Sequence, residues 1–237
     1  MKTNFKFPMS KAERIIGWIY IPVHAVIVPL VIAFLYAAFS PSIIPELTDP
    51  QLNLVYYAFS FLFVLAAMFR YLKASFSDLF DDVIGSITSI LLGFPLYSVM
   101  TAAVGFALIY FLGDAINPNT ESILNAAKLN VNVMFVVSVL FAPVVEEVLF
   151  RGALFGTLRT KNRLLAYIVS ALVFSLYHLW QSMLLNFDWT LLLFILQYVP
   201  ASIALAWCYE RSGSIWSSIL LHALINFVFL SVNIGLF

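Results

Sequence analysis

The chain is expected to be all-α: a polytopic membrane bundle of about seven transmembrane helices, an eighth being possible, with a cytoplasmic N-terminus. Three observations predict this. Of 237 residues, 63% are hydrophobic and 10% charged, against about 45–50% and about 25% in a soluble domain. The mean hydropathy is +1.00. Apolar stretches of about 20 residues, long enough to cross a hydrocarbon core of about 30 Å, recur along the whole chain. So little polar surface excludes a water-soluble protein and makes the lipid bilayer the expected surrounding. A net charge of zero, from 12 Lys+Arg and 12 Asp+Glu, leaves no basic patch to displace counterions, so nucleic acid is not an expected partner. The single cysteine excludes a disulfide framework and multi-cysteine metal sites. Residues 1–237 read as one membrane domain.

The spans lie where charges are missing. The first covers about Ile15 to Phe39 and carries Pro22, His24 and Pro29. It exceeds the 7–15 residues typical of a signal-peptide core and reads as an uncleaved anchor. The second is about Leu52 to Phe69. After it, Ala74 to Asp82 spaces Phe76 and Leu79/Phe80 as a short interfacial helix would. The third is the uncharged run from Ile84 to Leu112, so long that Gly93 and Pro95 suggest a tilt, a kink, or a re-entrant piece plus a span. Gly113 to Asn130 reads as a polar external loop. The fourth span starts near Val131 and continues through Glu146 and Glu147 toward Leu158. The fifth covers Leu164 to Trp180, the sixth Thr190 to Tyr209, and the seventh Ser214 to Phe237. With the N-terminus inside, Lys2, Lys6, Lys11, Arg14, Arg70, Lys73, Arg151, Arg159, Lys161, Arg163 and Arg211 fall on the inner side and only Lys128 outside. That is the bias of the positive-inside rule.

An ionisable group in hydrocarbon costs about 2.5–3.5 kcal/mol on insertion scales, so each one demands a reason. All three histidines (His24, His178 and His222) fall inside predicted spans, and of the acidic residues only Glu146 and Glu147 do so within an apolar helix. Residues four apart on a helix lie one above the other, so Glu147 and Arg151 are expected to pair. Glu146 points elsewhere and stays a desolvated carboxyl without that partner, the condition a general base requires. The plainer reading is that both glutamates snorkel to the inner interface. Phe174 and His178 stand four apart on the fifth span, and His222 and Asn226 on the seventh. Taken singly, each histidine reads as hydrogen-bonding glue between helices. Together with Glu146, they place one base and several donors around a water. Gly152 and Gly156 form a small-xxx-small step suited to close helix approach. His24 reads as structural, and Cys208 has no assigned role.

Glu146-Glu147-x-x-x-Arg151, Phe174-x-x-x-His178 and His222-x-x-x-Asn226, in that order on successive hydrophobic segments, resemble the motifs of the CPBP family. These are the CAAX protease and bacteriocin-processing (Abi) intramembrane endopeptidases, which include the prenyl-protein CAAX endopeptidase. Tyr209 to Trp216 resembles the family's lead-in to the last motif. The resemblance covers roughly 131–237, which would be the catalytic core, and leaves 1–130 as N-terminal spans without a motif. It implies a peptide hydrolase in which Glu146 activates water and His178 assists. His222 and Asn226 would stabilise the oxyanion, Glu147 and Arg151 would be a structural ion pair, and Phe174 would support the motif. The family fold is described with eight helices, against the seven counted here.

Zinc or another divalent metal would have to be held by Glu146, His178 and His222. No His-Glu-x-x-His arrangement preforms such a site, so a metal-independent, glutamate-activated water is favoured and no cofactor is expected. The alternative function is a non-catalytic bacteriocin-immunity or membrane scaffold protein. The expected substrate is a membrane-associated peptide or protein, reached from the cytoplasmic side or laterally. The expected location is a prokaryotic plasma membrane, and no oligomeric state is indicated.

Overall fold

The structure is a computed structural model that describes residues 5, 7–40, 46–185 and 188–235. In chain order its helices are α1 (Lys11–Phe39), α2 (Asp49–Ala67), α3 (Phe69–Asp81), α4 (Val83–Leu112), α5 (Pro118–Leu129), α6 (Val131–Arg159), α7 (Arg163–Leu185), α8 (Thr190–Ser212) and α9 (Ile215–Asn233). No strand occurs among the described residues. All but α3 and α5 are long and apolar enough to cross a membrane, which makes seven spans among the described residues. The chain is a multi-pass integral membrane protein. Lys2, Lys6 and the last two residues of the seventh predicted span lie outside the described residues.

One expectation needs correction, and one open alternative is decided. The stretch from Gly113 to Asn130 is not a loop throughout, because α5 occupies most of it. Asn117 caps that helix by accepting from the Asn119 N–H at 2.9 Å, and Pro118 takes the first helical position. A proline is tolerated there because that N–H has no intrahelical partner. The long uncharged third run is one continuous helix through Pro95, with no re-entrant break. The interfacial helix is present as α3, starting at Phe69.

The seven spans are not equivalent. In the most apolar window of α6, 61% of residues are buried, against 6% for α4. The charged motif therefore sits on the central helix, while α4 faces outward through Ile84, Leu91, Val99 and Phe106. The bundle is sealed at the end that carries Lys11, Arg14, Arg70 and Lys73. There the Tyr71 hydroxyl donates to the Tyr209 oxygen at 3.0 Å. Trp216 Nε1 donates to the Leu72 carbonyl at 3.0 Å, and the Ile215 N–H donates to Ser75 Oγ at 2.7 Å. Glu210 gathers Arg159, Arg163 and Tyr167 beside them. Glu13 ties α1 to α3, accepting from the Tyr71 N–H at 2.8 Å.

Gly152 and Gly156 do not receive a neighbouring helix backbone. A Cβ on Gly152 would meet Tyr71 Cε1 at 3.0 Å, and Gly156 lies under the Phe7 ring. The close helix approach is made instead by Gly17 of α1 against Ala153 of α6. Gly17→Val is therefore expected to cost about 1–3 kcal/mol by overpacking. A lowered melting midpoint in detergent checks this, and an unchanged one would refute the contact.

Two spans contain wider π-helical turns, at Val23–Ile27 in α1 and at Val136–Phe141 and Glu147–Gly156 in α6. The first two share one device. Val28 and Ala142 donate five residues back, to the carbonyls of Val23 and Val137. The next residues in that register are Pro29 and Pro143, which have no N–H. The carbonyls of His24 and Ser138 are thereby released from the helix. Each accepts a side chain from another span: Tyr56 Oη–H onto His24 at 3.0 Å, and Asn226 Nδ2–H onto Ser138 at 2.8 Å. π-turns of this kind recur at functional sites.

Candidate active site

Glu146 lies near the middle of α6 and is 3% exposed, so each of its oxygens needs a partner. Its Oε1 accepts from the Tyr57 hydroxyl at 2.9 Å. Its Oε2 has no hydrogen-bond partner among the described residues and faces His178 Nε2 at 3.8 Å and His222 Nε2 at 3.9 Å. Three of the four proposed catalytic side chains, from α6, α7 and α9, thus converge on one point.

Both imidazoles are fixed from behind. His178 Nδ1 lies 2.8 Å from the Phe174 carbonyl, which can only accept, so that nitrogen carries the proton. His222 Nδ1 lies 2.8 Å from Glu147 Oε1 and carries its proton for the same reason. In the neutral rings both Nε2 lone pairs therefore point toward Glu146 Oε2. The stack of Tyr198 on His178, with centroids 4.4 Å apart, holds that ring's plane.

Glu147 pairs with Arg151 at 3.0 Å, as helix spacing predicts, and both side chains are fully buried. It does more than pair. Oε2 accepts from Ser218 Oγ at 2.6 Å, while Oε1 is shared between Arg151 and His222. Phe174 covers the other side of Arg151, whose guanidinium carbon lies 4.0 Å from the ring centroid, a cation–π contact. Ser218, one turn before His222, extends the His222–Asn226 stripe, and that spacing was a signal available in the sequence.

Among the described residues Asn226 makes no hydrogen bond to Glu146 or His222. Its amide donates to the Ser138 carbonyl, and its side chain lines the same cavity. That cavity, about 520 Å³ in volume, is bounded by Glu146, His178, His222 and Asn226, and its size is typical of ligand pockets. Among the described residues no three His, Cys, Asp or Glu side chains form a metal-holding group. The separations of 3.8 and 3.9 Å exceed the roughly 3.4 Å edge of a tetrahedral shell with bonds of about 2.1 Å. They leave room for a water that donates to Glu146 and to His178 Nε2 and accepts from His222 Nε2 when that ring is protonated.

This geometry coincides with a region of recognisable kinship. Residues 128–228 match the family model described as type II CAAX prenyl endopeptidase Rce1-like. YdiL of Bacillus subtilis (strain 168), named provisionally as a membrane peptidase, is 30% identical over 109 residues, 46% of this chain and 40% of YdiL. The UPF0177 protein YxdF of Lactococcus lactis subsp. lactis (strain IL1403) is 28% identical over 87 residues, 37% of this chain and 42% of YxdF. The membrane-embedded CAAX protease MroQ of Staphylococcus aureus (strain USA300) is 35% identical over 96 residues, 37% of this chain and 38% of MroQ. The chain thus spans about two fifths of the length of the curated relatives it matches. No solved structure matches it.

The Rce1-like region holds Glu146, Glu147, Arg151, Phe174, His178, His222 and Asn226, but it does not complete the site. The donor to Glu146 comes from α2, and a chain of hydrogen bonds leads from it to His24. Tyr57 and Tyr177 hydroxyls are 3.1 Å apart, Tyr177 Oη and His24 Nε2 3.0 Å, and His24 Nδ1 and Ser60 Oγ 3.0 Å. Tyr20 Oη donates to Ser60 at 3.2 Å. With Glu146 as carboxylate, the directions follow in turn. Tyr57 spends its proton on Glu146, so Tyr177 donates to Tyr57, His24 donates through Nε2 to Tyr177, and Ser60 donates to His24 Nδ1. Every proton in the chain points toward Glu146, so the bonds polarise one another. His24 is structural in this sense: it terminates the network that holds the carboxylate. Removing the Tyr57 hydroxyl strips Glu146 Oε1 of its donor and leaves Tyr177 only the longer contact, 3.4 Å, with the Tyr56 hydroxyl. A buried hydrogen bond to a charged group is worth about 1.5–3 kcal/mol. Tyr57→Phe is expected to lower kcat/KM about tenfold or more with the fold retained, and unchanged kcat/KM would remove Tyr57 from the site.

Proposed function

We propose that this chain is an intramembrane endopeptidase that hydrolyses a peptide bond of a membrane-associated protein or peptide, using Glu146 to activate a water. The observation that carries the reading is the unpartnered Glu146 Oε2 opposite two imidazole nitrogens inside a cavity. A water placed there donates one proton to Glu146 as it attacks the carbonyl carbon, and Glu146 later returns that proton to the leaving amine. His178, with its lone pair on Nε2, orients the water. His222 donates to the oxyanion from Nε2 as the imidazolium, whose Nδ1–H faces the Glu147 carboxylate. Asn226 adds its remaining amide proton. This mechanism routes no step through a metal; the 3.8 and 3.9 Å separations of the three candidate ligands favour an intervening water. The catalytic core is 131–237, and the spans in 1–130 supply Tyr57 and its support. The match to the Rce1-like family and the names of the bacterial relatives favour this reading, and a prokaryotic plasma membrane is the location it implies.

The test compares newly formed peptide termini in membranes carrying equal amounts of wild type or Glu146→Gln. Termini present only with wild type identify the substrate and its scissile bond. If the two sets agree while both proteins are folded, the hydrolase reading fails. The same side chains would then be architecture in a non-catalytic immunity or scaffold protein.

A further inference from the structure

The cavity extends from Glu146 in one direction only. Its lining passes Ser138 of α6 and Asn53 of α2 and reaches Gln181 of α7, Gln197 of α8, and Thr120 and Ser122 of α5. Ser122 and Gln181 are exposed at its rim. In the other direction the bundle is shut by the contacts among Tyr71, Tyr209, Leu72, Trp216, Ser75 and Ile215. The two ends also differ in charge. Lys11, Arg14, Arg70, Lys73, Arg159, Lys161, Arg163 and Arg211 lie at the shut end, and the open end carries Lys128 alone. Orientation follows the count of Lys and Arg in short loops, so the shut end is the cytoplasmic one.

We propose that the catalytic cavity opens on the extracytoplasmic face, and that the substrate is a polypeptide segment presented from that side. This reverses the expectation of cytoplasmic access. The lining suits such a substrate. Apart from Glu146 and the histidines it offers amides and hydroxyls (Asn53, Gln181, Gln197, Ser122), which can both donate to and accept from an extended main chain, and no Lys or Arg. The sidedness stands on the cavity and the charges alone, whereas the word substrate rests on the endopeptidase reading.

Cysteine labelling separates the two. Native Cys208 is fully buried and gives little background. Ser122→Cys and Gln181→Cys mark the rim, and Lys161→Cys marks the shut end. A membrane-impermeant maleimide on intact cells is expected to label the two rim variants at least tenfold faster than Lys161→Cys, which reacts only after permeabilisation. The opposite pattern, equal labelling of all three, or rim sites silent in intact cells would each overturn the proposal. Glu146-dependent termini are expected in segments outside the cytoplasm, and termini confined to cytoplasmic segments would overturn it too. Expected labelling with no Glu146-dependent termini would sink the endopeptidase reading alone and leave the sidedness standing.

Discussion

Glu146→Gln is expected to reduce peptide cleavage by about 10²–10⁴-fold, the usual contribution of a general base, while the protein folds as before. The fold survives because the substitution conserves what the carboxylate does structurally. Glu146 makes one hydrogen bond, from Tyr57 at 2.9 Å, and an amide oxygen accepts it equally well. The other oxygen becomes an NH2 group facing two imidazole nitrogens at 3.8 and 3.9 Å, which are acceptors in their neutral form. What is lost is the ability to take a proton from water. The checks are the turnover of the identified substrate and the melting midpoint in detergent, read together. Full activity would show that another group is the base. A large drop in the midpoint would show that the carboxylate belongs to the framework.

The number and order of spans were legible because hydropathy and charge are read along one dimension. A run such as Ile84 to Leu112 is apolar whichever way its faces turn, and the Lys/Arg bias needs only a count. The Glu147–Arg151 pair was legible because a helix brings i and i+4 together whatever surrounds it. The convergence of Glu146, His178 and His222 was not available from periodicity, since it depends on how α6, α7 and α9 pack; the motif resemblance supplied it. Tyr57 and Tyr177 carried no signal at all. Tyr57 lies 89 residues from Glu146 and 120 from Tyr177 in sequence, and tyrosines in apolar spans are ordinary. The released carbonyls of His24 and Ser138 were half-visible, in that Pro29 and Pro143 each stand five residues later. That spacing has meaning only once the turn is known to be π-helical. Helix α5 could have been read from Asn117-Pro118, an N-cap followed by a first-turn proline, but the polarity of the segment suggested a loop.

The neighbouring carboxylate should behave in the opposite way. Glu147→Gln is expected to destabilise the fold by about 3–5 kcal/mol, the cost of leaving a buried charge without its partner. Arg151 is fully buried, its Nε and Nη2 have no hydrogen-bond partner, and beyond Glu147 it has the Phe174 ring at 4.0 Å. Ser218 and His222 also lose a charged acceptor. Removing both charges is a different experiment. In Glu147→Gln/Arg151→Met no guanidinium remains to be stranded, so stability should return most of the way toward wild type, as it does when buried pairs are replaced by uncharged side chains of similar volume. Cleavage should not return, because His222 Nδ1 no longer faces a carboxylate and its imidazolium form loses the group that orients it. Melting midpoints of Glu147→Gln, of Arg151→Met and of the double variant give the coupling directly, and turnover of the double variant reads the second role. If Glu147→Gln melts with wild type, neither the ion pair within α6 nor the contacts of Glu147 with Ser218 and His222 of α9 are what stabilise the fold. If the double variant recovers cleavage along with stability, Glu147 has no part in positioning His222, and the Arg151 pairing is its whole function.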